Sequence, residues 1–234
     1  MILRKLTDAL RRQDWFAVLI ELAVVVVGIV LGLQFTEWNE SYNERALESY
    51  YLKQLDKDFE ESLDSWDGYL SQMEEKANRS KAVAQSLLDK TLTNETRGQF
   101  DEDWNYLWGW LHLDFLTTTL DELRDTGRLT LIRSDELRQD LIQFRTHLSI
   151  QKTYNTNLGN MLMLYYKELS EVTRMKPGTF ELLSRNEELL EEEQVYTFAN
   201  QVAIYQSLVL EQAKTSYQAA TRLHQKILQE TQED

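Results

Sequence analysis

Residues 15–38 read WFAVLIELAVVVVGIVLGLQFTEW, the one long apolar run in an otherwise polar and acidic chain. Trp15 and Trp38 stand 23 positions apart, roughly 35 Å along a helix at ~1.5 Å per residue, close to a bilayer's hydrocarbon core plus its two edges. Between them lie 14 Leu, Ile, Val and Phe residues, worth about −4 to −8 kcal/mol on an insertion scale. Glu21 opposes insertion by about 3 kcal/mol, so the run still inserts. The expectation is a transmembrane helix over 15–36, anchored at the two interfaces by Trp15, Trp38 and Tyr42. A cleavable signal peptide fits poorly, because the run is too long and no small-x-small cleavage site follows it.

Flanking charge sets the direction. Arg4, Lys5, Arg11 and Arg12 precede the span, whereas no basic residue follows it until Arg45. The positive-inside rule then puts the N-terminus in the cytoplasm and residues 37–234 outside it, with no second run of spanning length. Residues 1–14 place Ile2, Leu3, Leu6, Ala9 and Leu10 on one side of a helix and Arg4, Lys5, Asp8, Arg11 and Arg12 on the other. That is a basic amphipathic segment suited to an anionic headgroup layer, or else a plain positively charged n-region.

Beyond the span the chain reads as all-α. One Pro and 8 Gly in 234 residues leave few places to turn, and no segment alternates apolar and polar residues for long. Leu52, Leu55, Phe59, Leu63, Trp66, Leu70, Met73, Ala77, Ser80, Ala84 and Leu87 recur at steps of three and four, a seam of the coiled-coil kind. Nothing between Phe35 and Leu52 breaks a helix, so the span is expected to continue into this one as a rod. The TLTNETRGQ segment (91–99), with Gly98, should end a helix of about 37–92. A second helix is expected over about 101–126, with Asp101, Glu102 and Asp103 at its N-terminus and Gly127 as its closing residue. RLTLIR (128–133) suggests a short extended link, and Ser134 an N-cap.

A third helix, about 135–175, carries Leu137, Leu141, Phe144, Leu148, Gln151, Asn155, Leu158, Leu162, Tyr165, Leu169 and Val172 inward, the two amides fixing register. Pro177-Gly178 ends it, a helical turn is expected around Phe180–Leu183, and a last helix covers about 187–230. Its inward residues are Val195, Phe198, Val202, Tyr205, Val209, Ala213, Ser216, Ala220, Leu223 and Ile227. Together these make a coiled-coil-like four-helix bundle outside the membrane.

Two stretches carry a resemblance. RRQDWFAVLIELAVVVVGIVLGLQFTEWNE (11–40) combines a basic lead, an Asp-Trp pair, a Val-rich span with glycines and a Trp-Asn-Glu exit. It resembles the N-terminus of a widespread family of uncharacterised bacterial single-span inner-membrane proteins. TTTLDELRDTGRLTLIRSDELRQDL (117–141) is similar to a second stretch of that family, and the two cover about a quarter of the chain. The resemblance implies a bacterial inner membrane and a periplasmic C-terminal domain, and supplies no activity. Beyond residue 150 the architecture rests on periodicity alone.

Composition narrows function mainly by exclusion. A net charge of −14 argues against binding a phosphate backbone, hence against nucleic acid. Absence of Cys removes disulfides and thiolate metal sites, and suits an oxidising compartment. There is no GxSxG, Walker A loop, GxGxxG or HExxH, and His112, His147 and His224 are scattered without Glu-x-x-His spacing. No enzyme, cofactor or metal is expected. The aromatic run with Trp104, Trp108 and Trp110, flanked by Tyr106 and Phe115, reads as core filler or as a surface for lipid, glycan or a partner. EELLEEE (187–193) reads as a solvated helix start.

Glu21 is the sharpest residue. On a helix Ala17, Glu21, Val24, Val25, Gly28, Gly32 and Phe35 share one face, and Gly28 with Gly32 forms GxxxG, which lets two backbones approach closely. Glu21 therefore points into a helix–helix contact, where it either hydrogen-bonds and fixes register or handles protons or cations. The leading expectation is a membrane-anchored, homo-oligomeric scaffold or interaction protein. Two alternatives stand beside it: an ion- or proton-handling subunit working with another membrane protein, and a ligand-sensing bundle acting through a partner.

Overall fold

The computed structural model describes residues 15–109, 111, 115–177, 182–184, 190 and 192–233. Residues 1–14, Trp110, His112, Phe180 and most of the acidic run 187–193 lie outside that set. Six helices carry almost all of the described chain: α1 Trp15–Leu88, α2 Arg97–Trp104, α3 Thr118–Asp125, α4 Asp135–Leu164, α5 Tyr166–Val172 and α6 Glu193–Glu233. Single 3-10 turns follow α2 (Asn105–Leu107) and α3 (Arg128–Leu131), and two short strands, β1 Thr173–Met175 and β2 Leu182–Ser184, follow α5.

α1 is unbroken over 74 residues, as expected from a stretch with no Pro and glycine only at 28, 32 and 68. By contact the chain divides into two units, one ending at Tyr50 and the other covering Tyr51–Glu233. In the first, α1 is the one helix among the described residues long and apolar enough to cross a membrane, with a mean hydropathy of 2.6 and none of that window buried.

The second unit has a core that follows the expected seams. α1 buries Leu52, Leu55, Phe59, Trp66, Met73, Ala77, Ser80 and Ala84; α4 buries Leu137, Leu141, Phe144, Gln151, Asn155, Leu158 and Leu162. α6 contributes Val195, Phe198, Val202, Val209, Ala213, Ser216, Ala220, Leu223 and Ile227, and packs along α4. Phe59 meets Phe115 edge-on at 4.9 Å and Phe144 at 5.2 Å, and Trp66 meets Phe115 at 5.4 Å. Such ring pairs add about 0.5–1.5 kcal/mol each beyond the area they bury. Polar ties at the rim join the same helices: His224 Nε2 to Asp56 Oδ1 at 2.7 Å, and Lys226 Nζ to Asp140 Oδ2 at 2.5 Å.

Between the long helices the structure departs from the expectation in four places. α1 ends at Leu88 without using Gly98. Lys90 takes a left-handed φ of +51° and the Thr91 N–H reaches back to the Ser86 carbonyl at 3.2 Å, a Schellman-type closure. Thr93 and Thr96 then cap each other, each hydroxyl accepting from the other's N–H at 2.9 and 3.3 Å, and Gly98 lies inside α2.

The expected helix over 101–126 is two helices. α2 already starts at Arg97, so Asp101 to Asp103 lie near its end, and Trp108 leaves it extended at ψ 152° before Gly109 at φ +67°. The backbone that leads into α3 is held by α1: Ser62 Oγ accepts from Leu116 N–H, and Asp58 Oδ2 accepts from Thr119 N–H, both at 3.0 Å. A carboxylate from another helix thus does the work of an N-cap and complements the α3 dipole.

RLTLIR is also not extended throughout, because Arg128–Leu131 closes a 3-10 turn before Ile132 turns extended. Gly127, at φ +70°, closes α3 as expected, and Ser134 Oγ accepts from Leu137 N–H at 3.3 Å. Finally, the expected helix over 135–175 stops at Leu164. After α5 the chain forms an antiparallel hairpin, with Thr173 opposite Ser184, Arg174 opposite Leu183 and Met175 opposite Leu182. β-Branched Val172 and Thr173 favour the extended form, Pro177 lies in the turn, and β2 lies against α2, so tertiary packing completes what local preference begins. Leu182 and Leu183, expected in a helical turn, are strand residues.

Candidate functional site

The residues singled out in and beside the span whose surroundings are described lie open. Trp15, Trp38 and Tyr42 are all about two-thirds exposed, and Phe35 lies 6.1 Å from Trp38. A methyl group built on Gly28 or Gly32 meets nothing within 4 Å, and Glu21 is exposed. Thr36 Oγ1 donates back to the Gly32 carbonyl at 3.1 Å, which satisfies this hydroxyl within the helix. Glu21, Gly28 and Gly32 therefore form a stripe with two shallow notches and one carboxylate, uncovered by any other described residue of the chain.

The aromatic run, expected as core filler or as a binding surface, divides between burial and partial exposure. Trp104 is wholly buried; its indole N–H donates to Thr173 Oγ1 at 3.2 Å and its ring lies 5.7 Å from Phe100. It is core, and not a ligand- or partner-facing residue. Trp108 is half-buried, near Tyr166 at 6.5 Å and Phe198 at 6.4 Å. Trp110 lies outside the described residues. Phe115, just before α3 and partly buried, packs against Phe59, Trp66 and Phe144.

Around that run lies a polar set that periodicity does not reveal. The 3-10 turn after α2 leaves carbonyls with no intrahelical partner, and buried carbonyls need donors. Lys76 Nζ donates to the Trp108 carbonyl at 2.6 Å, while Ser80 Oγ and Gln206 Nε2 donate to the Tyr106 carbonyl at 3.1 and 2.9 Å. Gln206 is wholly buried and Lys76 is 8% exposed. Burial lowers the Lys76 pKa from 10.5 to about 8. Beside it, Arg79 donates to Asp103 at 2.7 Å and lies over the Tyr106 ring. The only sequence signal for Lys76 is its place between the seam positions Met73 and Ala77.

His224 is held by Asp56 and lies 6.3 Å from the Phe59 ring, so it serves as a rim tie in the core. Gln151 and Asn155 are buried on the α4 seam as expected. Near them the Tyr69 hydroxyl, whose pKa is raised by burial, faces both amides. These groups hold neutral polarity inside the helices and offer no nucleophile paired with a base. No protein-family model matches the chain, and no similar curated protein or solved structure is found.

Proposed function

We propose that this chain is a membrane-anchored, homo-oligomeric interaction protein whose span packs against copies of itself along the Ala17, Glu21, Gly28 and Gly32 face. One observation carries the reading: the apolar window of α1 is entirely unburied within the chain, and its two glycines open onto empty space. In lipid, apolar surface alone does not drive helices together, whereas close backbone approach at small residues and shared hydrogen bonds do. Glu21, in this reading, hydrogen-bonds across the contact, and an acidic group in hydrocarbon needs such a partner. Trp15, Trp38 and Tyr42 set the depth, and the basic residues before the span keep the N-terminus in the cytoplasm of a bacterial inner membrane. The Tyr51–Glu233 unit then lies on the periplasmic side as a helical bundle.

The test is the mass of the purified chain in mild detergent by light scattering. Gly28→Leu and Gly32→Leu should each shift the protein toward monomer, and the double variant further. A mass unchanged by the double variant refutes the reading.

A further inference from the structure

A cavity of about 430 Å³ opens between α1, α4 and the segment leading into α3, with Trp66, Phe115, Asp121, Arg145, Gln151 and Asn155 on its wall. Trp66, Gln151 and Asn155 are each more than nine-tenths buried. Yet Trp66 Nε1, Gln151 Oε1 and Asn155 Oδ1 have no hydrogen-bond partner in the protein. The Tyr69 hydroxyl, one turn along α1 from Trp66, faces both amides, which offset part of the rise that burial gives its pKa, and makes no close hydrogen bond to either. Buried polar groups in native proteins are satisfied, by protein, water or ligand. Three unmet groups on the wall of one space, Trp66 Nε1, Gln151 Oε1 and Asn155 Oδ1, point to an occupant.

The wall also states what that occupant must be. It needs donors for two carboxamide oxygens and an acceptor for the indole N–H, and hydroxyl groups supply both. Asp121 and Arg145 pair with each other at the mouth, so their charges are already compensated. The other lining cation, Lys152, is exposed. A charged molecule would give up its hydration with no buried counter-charge waiting. Phe115 and Leu148 provide apolar contact, and the volume falls within the usual range for small-molecule sites and far exceeds the ~30 Å³ share of one water.

We propose that this cavity binds a small neutral polyhydroxylated molecule of the saccharide class, its hydroxyls donating to Gln151 Oε1 and Asn155 Oδ1 and accepting from Trp66 Nε1. The site lies wholly within the Tyr51–Glu233 unit and does not depend on how the span assembles.

The full chain, in lipid nanodiscs because maltoside detergents carry the chemistry under test, is titrated with N-acetylglucosamine and glucose by saturation-transfer NMR. Glycine serves as the charged comparator. A saturable signal from either sugar is expected, weakened about tenfold in Gln151→Leu and in Asn155→Leu. Both variants remove an oxygen that has no protein partner, so circular dichroism and melting should show a fold at least as stable. Absence of saturable signal up to tens of millimolar sugar, meaning a cavity holding water only, overturns the proposal. So does binding that both Leu variants leave unchanged, or saturable glycine binding without sugar binding.

Discussion

Lys76 is buried with its ammonium on the Trp108 carbonyl, and raising the pH should stabilise the protein by relieving the cost of burying that charge. The folded pKa is about 8 against 10.5 for the free group, a difference of about 2.5 units. At ~1.36 kcal/mol per unit this amounts to about 3 kcal/mol. The sign follows from proton counting. Below pH 8 both states carry the proton, and the penalty for burying the charge is fully present. Between about 8 and 10.5 the unfolded state binds the proton more tightly, so stability rises with pH. Above that window both states are neutral and the gain is complete.

The assay is urea unfolding of the full chain in micelles, followed by tryptophan fluorescence at a series of pH values, for the native protein and for Lys76→Met. Tyr69 and Tyr106 also titrate in alkali with raised pKa values, from burial at Tyr69 and from the hydrogen bond to Glu75 at Tyr106. Both are present in the two proteins and cancel to first order in the difference. Lys76→Met leaves the Trp108 carbonyl without this donor, so its stability at neutral pH combines a relieved charge with a lost hydrogen bond. The slope with pH is the cleaner quantity: the native protein should gain about 3 kcal/mol on the variant between the ends of the window. Parallel curves across that range would refute the assigned burial of the ammonium.

Three simpler substitutions test the core and the turns. Phe59→Ala, which empties the centre of the ring cluster with Phe115 and Phe144, should cost about 3–5 kcal/mol by the same unfolding assay. Gly127→Ala places a Cβ at φ +70° and should cost about 1–2 kcal/mol, although the space around it is open. Gly98→Ala, inside α2 with open space around it, should instead stabilise by up to about 1 kcal/mol; a loss there would contradict the helical assignment.

The long helices were readable because their evidence is local and repeated. Every third or fourth residue from Leu52 to Ala84 and from Leu137 to Leu162 faces the same way, and a few ambiguous positions do not disturb the period. Residues 105–117 offered no such redundancy. A stretch rich in Trp, Leu and Phe with one Gly reads as helix by propensity. What holds its described parts out of a continuous helix is Lys76, Ser80 and Gln206 satisfying the Trp108 and Tyr106 carbonyls, and Ser62 the Leu116 amide, from positions far away in the chain. The hairpin was hidden for a related reason. Three residues are too few to show alternation, and β2 is stabilised by lying against α2. For Trp104, helical spacing of aromatics favoured core over surface, and its burial with the indole N–H on Thr173 agrees. That Glu21, Gly28 and Gly32 share a side of the helix follows from a helical wheel alone; what covers that side does not.

Asp58 and Ser62 give the amides of α3 and its approach a meaning that local helix strength would not. Those acceptors sit 61 and 54 residues away from Thr119 and Leu116. An eight-residue helix seldom persists in isolation, and this one lacks an N-cap of its own. Its first turn can therefore close only after the distant part of α1 has docked, a late step in the order of assembly. Deuterium entering at Thr119 and Leu116 should then time the opening of the whole Tyr51–Glu233 unit, and these two amides would serve as its built-in clock.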